Sequence, residues 1–258
     1  MFDLTGKVAL VAGGAGYLGS PVCKALAEQG ATVVIADMAY DRAQQVAAEI
    51  ASQVTGATLH TVPLDMSDES LIQQAVCRTT EICGRLDILV NATYGTTAKR
   101  VEDLEAKEFT AALHVQLTGG FLLARAAAEV MTAGGSIIFF SSMYGEVSPD
   151  PRVYLPPMNP NPIEYGTGKA GVIHMTKYLA VHWAPRGIRV NCVSPGPFPN
   201  PTVQREHPEF VQRLAQKVPM GRIGRSHEMA GAVVFLASDA ASYVTGETIS
   251  VNGGWTSW

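Results

Sequence analysis

Val8-Ala9-Leu10-Val11-Ala12-Gly13-Gly14-Ala15-Gly16-Tyr17-Leu18-Gly19 decides how the rest of the chain is read. An apolar run enters a glycine turn, and the turn enters a helical pattern of Leu18, Val22 and Leu26 with Ala25 and Ala27 beside them. Strand, glycine turn and helix open a dinucleotide-binding unit. Gly13 permits the tight turn, Gly16 lets the backbone approach a pyrophosphate, and Gly19 lets the helix pack close to the sheet. The N–H groups that begin such a helix, together with its dipole, favour an anion. The next apolar run, Val33-Val34-Ile35-Ala36, ends in Asp37. A carboxylate there accepts hydrogen bonds from adenosine ribose hydroxyls and repels a 2′-phosphate, which points to NAD over NADP. A bare loop and a helix-capping Asp37 are the bland alternatives; the surrounding βαβ pattern argues against both.

Composition narrows the classes further. At 47% hydrophobic and 16% charged residues, the 258-residue chain can bury a sizeable core. A net charge of −4 with no basic stripe argues against nucleic acid. The first residues do not read as a signal peptide, and no apolar run reaches the ~18–20 residues of a membrane span. Cys23, Cys77, Cys83 and Cys192 have neither metal spacing nor a disulfide framework, and the histidines form no ligand pair, so no metal site is expected. Reduced thiols fit a cytoplasmic protein.

Further apolar runs recur at Thr58–Val62, Leu86–Val90, Gly135–Phe140, Ile188–Val193 and Thr248–Val251, with helical patterns between them. The pattern predicts helices from Asp41 to Val54, from a Ser67 cap to Cys83, from Glu102 to Met131, from Ile163 to Ala184 and from Ser226 to Ser238. The fold class is therefore α/β: residues 1–258 as a single doubly wound parallel sheet of about seven strands, with helices on both faces. In such a sheet ligands bind outside the carboxyl ends of the strands, so Asp37, Asp65, Asn91, Ser142 and Pro195-Gly196 should converge on one crevice.

Tyr165-Gly166-Thr167-Gly168-Lys169 carries the chemistry. Positions i and i+4 share a helical face, so phenol and ammonium can be neighbours. A free tyrosine, with a pKa of about 10, is a poor base at neutrality, and an adjacent cation favours its phenolate. Tyr165 can then exchange a proton with a substrate oxygen that Ser142 orients. The bland reading is a surface pair on an amphipathic helix.

Together these pieces resemble the short-chain dehydrogenase/reductase family over essentially the full chain. The resemblance rests on the glycine turn, Asp37, Asp65, Asn91-Ala92, Ser141-Ser142 with Gly145, Tyr165 with Lys169, Pro195-Gly196, and Val244-Thr245-Gly246 with Val251-Asn252-Gly253-Gly254. It implies catalytic roles for Ser142, Tyr165 and Lys169. It implies cofactor contacts from Gly13, Gly16, Tyr17, Leu18, Asp37, Asp65, Met66, Asn91, Ala92, Tyr165, Lys169, Pro195, Gly196 and Phe198. It also implies a homotetramer built through two long helices and the C-terminal segment.

Three departures stand out. The 13/16/19 glycine spacing is similar to that of the sugar-nucleotide epimerase branch. Thr93-Tyr94-Gly95 replaces the usual residues after Asn91-Ala92, and Gln116 stands where the family places the asparagine of a proton relay. The interval from Ser142 to Tyr165 is longer than usual and holds six prolines between Pro149 and Pro162. This segment, 146–163, should be stiff. It is read as a wall of the substrate pocket, with Tyr154, Met158, Asn159 and Arg152 as contacts beside Tyr94 and Met143. Residues 197–220 are read as a lid, with an amphipathic helix from Pro208 to Val218. Trp255 to Trp258 are expected in a subunit interface.

The function expected is NAD-dependent interconversion of a secondary alcohol and a ketone on a polar small molecule, namely a polyol, sugar or sugar acid. An NAD-using epimerase or dehydratase, suggested by the glycine spacing, is the alternative. A catalytically silent NAD-binding sensor, suggested by Gln116 and the altered 91–95 segment, is another.

Overall fold

The apolar runs form β1 (Val8–Ala12), β2 (Thr32–Asp37), β3 (Leu59–Pro63), β4 (Ile88–Asn91), β5 (Gly135–Phe140), β6 (Ile188–Pro195) and β7 (Thr248–Val251). A computed structural model, which describes residues 1–258, pairs all seven in parallel as one sheet. The strand order is β3-β2-β1-β4-β5-β6-β7. Between the strands lie α1 (Gly19–Glu28), α2 (Tyr40–Gln53), α3 (Glu69–Cys83), α4 (Ala106–Leu113), α5 (Gly120–Val130), α6 (Ile163–Trp183), α7 (Pro201–Glu206), α8 (Pro208–Lys217) and α9 (Ala230–Ala237).

Strand side chains alternate between the two faces, and both faces are dry. Leu10, Val34 and Leu89 pack with Ile72 of α3, Leu123 of α5 and Val172 of α6. Val11, Ile35 and Val90 pack with Leu26 of α1, Val46 of α2 and Val233 of α9. A third, smaller cluster stands apart from the sheet. It joins Met143, Tyr144 and Val153 to Phe210, Leu214 and Val218, and to Trp255. No helix is long and apolar enough to cross a membrane.

Several expectations need correction. The cap of α3 is Asp68, whose carboxylate accepts the Ser70 and Leu71 N–H groups; Ser67 instead donates to Asp65. The helical stretch after Glu102 is broken into α4, a π turn at His114–Gly119, and α5. A π turn adds one residue, which rotates the following face by about 100°. Of the apolar side that the sequence pattern gives this helix, Phe109, Leu113, Leu117, Phe121 and Leu122, the residues Leu117 and Leu122 do pack against the core, while Phe121 turns outward. Phe121 is 39% exposed, and Leu123, Ala124, Ala127 and Ala128 are buried instead. The terminal tryptophans separate: Trp255 is buried within its own chain, whereas Trp258 is 81% exposed.

Candidate active site

The chain runs from β1 to β3 in one direction and from β4 to β7 in the other, so the order reverses at β1 and β4. A crevice opens above the carboxyl ends of such a pair. There the molecule has a cavity of about 610 Å³. A second depression of about 640 Å³ lies at the amino ends of the strands, near Lys7, Asp87 and Arg189, away from the groups described next.

One end of the cavity is the glycine turn. Gly13 holds φ +74°, a left-handed conformation that glycine adopts without strain. A Cβ at Gly19 would lie 2.1 Å from the Gly13 carbonyl oxygen, so the turn closes tightly only with glycine there. Gly13, Gly16, Tyr17 and Leu18 line this end. No side chain caps the first turn of α1; Ser20 N–H donates to the Gly16 carbonyl at 3.0 Å, and the Tyr17, Leu18 and Gly19 N–H groups are left for an anion. Asp37 stands at the end of β2 beside the turn. Its two oxygens accept the Ala15 N–H at 3.1 Å and the Ala39 N–H at 3.0 Å. No lysine or arginine lies in the turn, which runs Gly13-Gly14-Ala15-Gly16-Tyr17. This cradle fits a dinucleotide.

Asp65, Met66 and Asn91 are not among the residues that line the cavity. Asp65 accepts the Ser67 N–H at 2.8 Å, and the Met66 carbonyl packs against Gly119. Asn91 is buried and accepts the Thr93 N–H at 3.1 Å and the Thr93 hydroxyl at 2.7 Å. It shapes the turn, while Ala92 reaches the cavity.

The reacting groups expected from the sequence do meet. Ser142 ends the segment after β5, and Tyr165 and Lys169 lie one turn apart on α6. Ser142 Oγ accepts the Tyr144 N–H at 3.1 Å, and its hydroxyl lies close enough to the Tyr165 phenol to influence its ionisation. The Lys169 ammonium is buried. It donates to the Phe140 carbonyl at 2.8 Å and the Thr93 carbonyl at 3.2 Å, and it lies 5.7 Å from the centre of the Tyr165 ring. Burial pulls Lys169 down to about 8. Burial also pushes the Tyr165 phenol above its ordinary value, while the nearby Ser142 hydroxyl works the other way. In the free protein desolvation is thus the larger influence on Tyr165, and the neighbouring ammonium does not reverse it.

Gln116 makes no direct hydrogen bond to Lys169. The π turn buries it against α6, where its amide donates to the Gly95 carbonyl at 2.9 Å and more weakly to the Glu164 carbonyl at 3.4 Å. It fits because residue 168 is glycine; a Cβ there would lie 2.7 Å from Gln116 Cδ. Gln116 therefore braces the backbone around Tyr165, while the Lys169 ammonium bonds elsewhere.

The other end of the cavity is lined by Tyr94, Met143, Tyr154, Met158 and Asn159, with Pro195, Gly196 and Phe198 at the boundary between the two ends. Tyr94 meets Tyr165 edge-on at 6.4 Å. Arg152 is not part of the lining: its guanidinium pairs with Asp150 at 2.8 Å. Asp150 also pairs with Lys217 of α8, and Arg213 donates to the Arg152 carbonyl at 3.1 Å. These contacts tie segment 146–163 to α8. Arg152 and Lys217 hold the Asp150 carboxyl well below the usual carboxylate range.

Two residues escaped the sequence reading. Tyr144 lines the cavity and shares a 2.9 Å hydrogen bond with Tyr154. Its position two residues after Ser142 was the available signal. Glu164 is fully buried and accepts the Thr97 N–H at 2.9 Å and the Thr97 hydroxyl at 2.8 Å. It pins segment 93–99 to α6. A carboxylate immediately before Tyr165 was the signal there.

Comparison with known proteins agrees with this arrangement. A family model described as enoyl-(acyl carrier protein) reductase matches residues 14–256. The chain is 35% identical over 253 residues to a 3-oxoacyl-[acyl-carrier-protein] reductase of Aquifex aeolicus, covering 97% of this chain and 98% of the relative. It is also 35% identical over 253 residues to the cis-4-hydroxycyclohexanecarboxylate dehydrogenase of Sinomonas cyclohexanicum, covering 97% and 96%. A gluconate 5-dehydrogenase from Burkholderia cenocepacia, solved in complex with NADP and tartrate, superposes with a TM-score of 0.88 at 30% identity, covering 100% and 98%.

Proposed function

The chain belongs to the short-chain dehydrogenase/reductase family of oxidoreductases, and we propose that it interconverts a secondary alcohol and a ketone with NAD as the preferred cofactor. The observation that carries this reading is the convergence of Ser142, Tyr165 and Lys169 beside a dinucleotide cradle. In the oxidative direction Tyr165 Oη takes the proton of the substrate hydroxyl. Tyr165 enters this step as the phenolate and leaves it as the phenol, while Ser142 donates its one hydroxyl hydrogen to the substrate oxygen and orients it. Lys169 supplies a fixed positive charge beneath Tyr165. A nicotinamide held by the cradle beside Ser142 and Tyr165 would supply the hydride acceptor for the same carbon. In reduction each proton moves the opposite way.

Gly13, Gly16, Tyr17, Leu18, Ala92, Pro195, Gly196 and Phe198 would hold the cofactor, with Asp37 on the adenosine ribose. The NAD preference rests on Asp37 and on the absence of a cation in the turn. Segment 146–163 would serve as the substrate wall and 197–220 as the lid. The expected substrate remains a polar small molecule. Within that class the lining favours polyols and sugars over sugar acids, because Lys169 is the only charged residue in it. A homotetramer is proposed from the outward apolar side chains of the two long helices, with Tyr178 68% and Val181 79% exposed. A cytoplasmic location is proposed from the four free cysteines.

The test is cofactor reduction at mildly alkaline pH, with NAD and NADP in parallel, over a panel of secondary alcohols. Turnover favouring NAD is expected. NADH binding without turnover on any alcohol would sink the assigned reaction. Light scattering of the purified protein checks the tetramer.

A further inference from the structure

The substrate end of the cavity has a chemistry of its own. Lys169 is the only charged residue that lines the cavity, and its donors already go to two backbone carbonyls. The nearby ions pair among themselves: Asp150 with Arg152 and Lys217, and Glu209 with Arg213. A carboxylate or phosphate entering here would lose water and find no free cation other than the one remaining donor of Lys169. Most of the wall is apolar, formed by Met143, Met158, Val203, Phe210 and Leu214. The Tyr154 and Phe210 rings lie 5.2 Å apart, tilted by 36°, so that loop and lid meet in aromatic contact at this apolar wall. An open-chain polyol would press several hydroxyls against that surface unpaired, whereas a ring offers an apolar face to it.

Beside Thr96, Asn159 and Asn200, this wall holds a paired hydroxyl patch. The Tyr144 and Tyr154 hydroxyls are 2.9 Å apart, with Asn161 lining the cavity next to them. One phenol donates to the other, so the accepting phenol has its own O–H left to give. Burial keeps both phenols neutral across the physiological range. Both lie close enough to Tyr165 to interact with it electrostatically. A site that hydrogen-bonds a substrate oxygen discriminates strongly against an analogue that lacks it.

From this we infer that the substrate is a neutral ring alcohol bearing a second oxygen, held by its apolar face on Tyr154 and Phe210 and read through that second oxygen by the Tyr144–Tyr154 hydroxyl pair. The inference rests on the assignment of Ser142, Tyr165 and Lys169 as the reacting groups.

The experiment compares kcat/KM for cyclohexanol, the 1,2- and 1,4-cyclohexanediols, sorbitol and gluconate, with both cofactors, for the wild-type protein and the Tyr144→Phe/Tyr154→Phe double variant. At least one ring diol should exceed cyclohexanol, sorbitol and gluconate by about tenfold or more. The double variant should bring the ratio of diol to cyclohexanol close to one. Tyr154→Phe alone, read by the same ratio, replaces the double variant if circular dichroism shows that it does not fold. Sorbitol or gluconate outperforming every ring alcohol would overturn the inference while leaving the alcohol–ketone reading intact. An unchanged diol ratio in a folded variant would overturn the role of the tyrosine pair. No turnover of any alcohol by a protein that binds NADH would remove both readings together.

Discussion

The cofactor end of the cleft is made of strand ends and backbone, whereas the substrate end is made of side chains gathered from distant segments. At the first, the glycine turn, the open start of α1 and Asp37 are held by the central strands β1 and β2, buried on both faces. At the second, Met143 and Tyr144, Phe210 and Leu214, and Trp255 form a separate cluster off the sheet. The first therefore shares the stability of the whole domain. The second can loosen by itself, as lids and binding loops do. The difference teaches where selectivity and motion reside: cofactor recognition is fixed by the fold, and substrate recognition depends on two segments closing on each other.

Mutations can break or sharpen this contrast. Tyr165→Phe should lower kcat by about 10²–10⁴-fold or more with NADH affinity nearly unchanged, as measured by nucleotide fluorescence; residual activity near wild type would remove Tyr165 as the proton carrier. Lys169→Met should also abolish most turnover, and it carries a stability signature. The lysine titrates at about 8 when folded and at 10.5 when unfolded, so its burial penalty is fully present below about pH 8. That penalty fades between the two values and is gone above the unfolded one. Thermal unfolding across pH should therefore show the variant's relative stability highest at neutral pH and declining as pH rises through that window.

Asp37→Ala acts on the cofactor end. Loss of charged hydrogen bonds worth about 1.5–3 kcal/mol corresponds to roughly a ten- to hundredfold shift of the NAD/NADP ratio of kcat/KM toward NADP. An unchanged ratio would place the specificity elsewhere. Leu214→Ala acts on the satellite cluster and should raise substrate KM several-fold with a small change in melting temperature. Leu10→Ala, in the sheet core, should cost about 2–5 kcal/mol of global stability. Equal melting shifts for the two would deny that the substrate end is a separate unit. Lys217→Ala releases α8 from Asp150 and should raise KM only about two- to threefold, because exposed ion pairs contribute little. The wild-type KM should then rise modestly with salt, and the variant's should not.

What the sequence determined by itself was whatever depends on local pattern. Seven apolar runs gave seven parallel strands because a strand buried on both faces reads as a continuous apolar stretch. The glycine turn, Asp37, and Tyr165 with Lys169 were legible because turn chemistry and i,i+4 spacing are local rules. The π turn was not legible, because one extra residue in a helix leaves no mark on composition; it turned Phe121 outward and carried Gln116 against Gly168. Tyr144 and Glu164 acquired their meaning only from Tyr154 and Thr97, each far away in the folded chain's sequence or on another segment. Trp255 likewise found its partners on α8, although its aromatic neighbourhood suggested an interface. The reacting groups and the cofactor cradle follow from local pattern, but the charge, shape and polarity of the substrate end follow from which segments pack together. That is a tertiary property, since the burial of each of these side chains is set by residues distant in sequence.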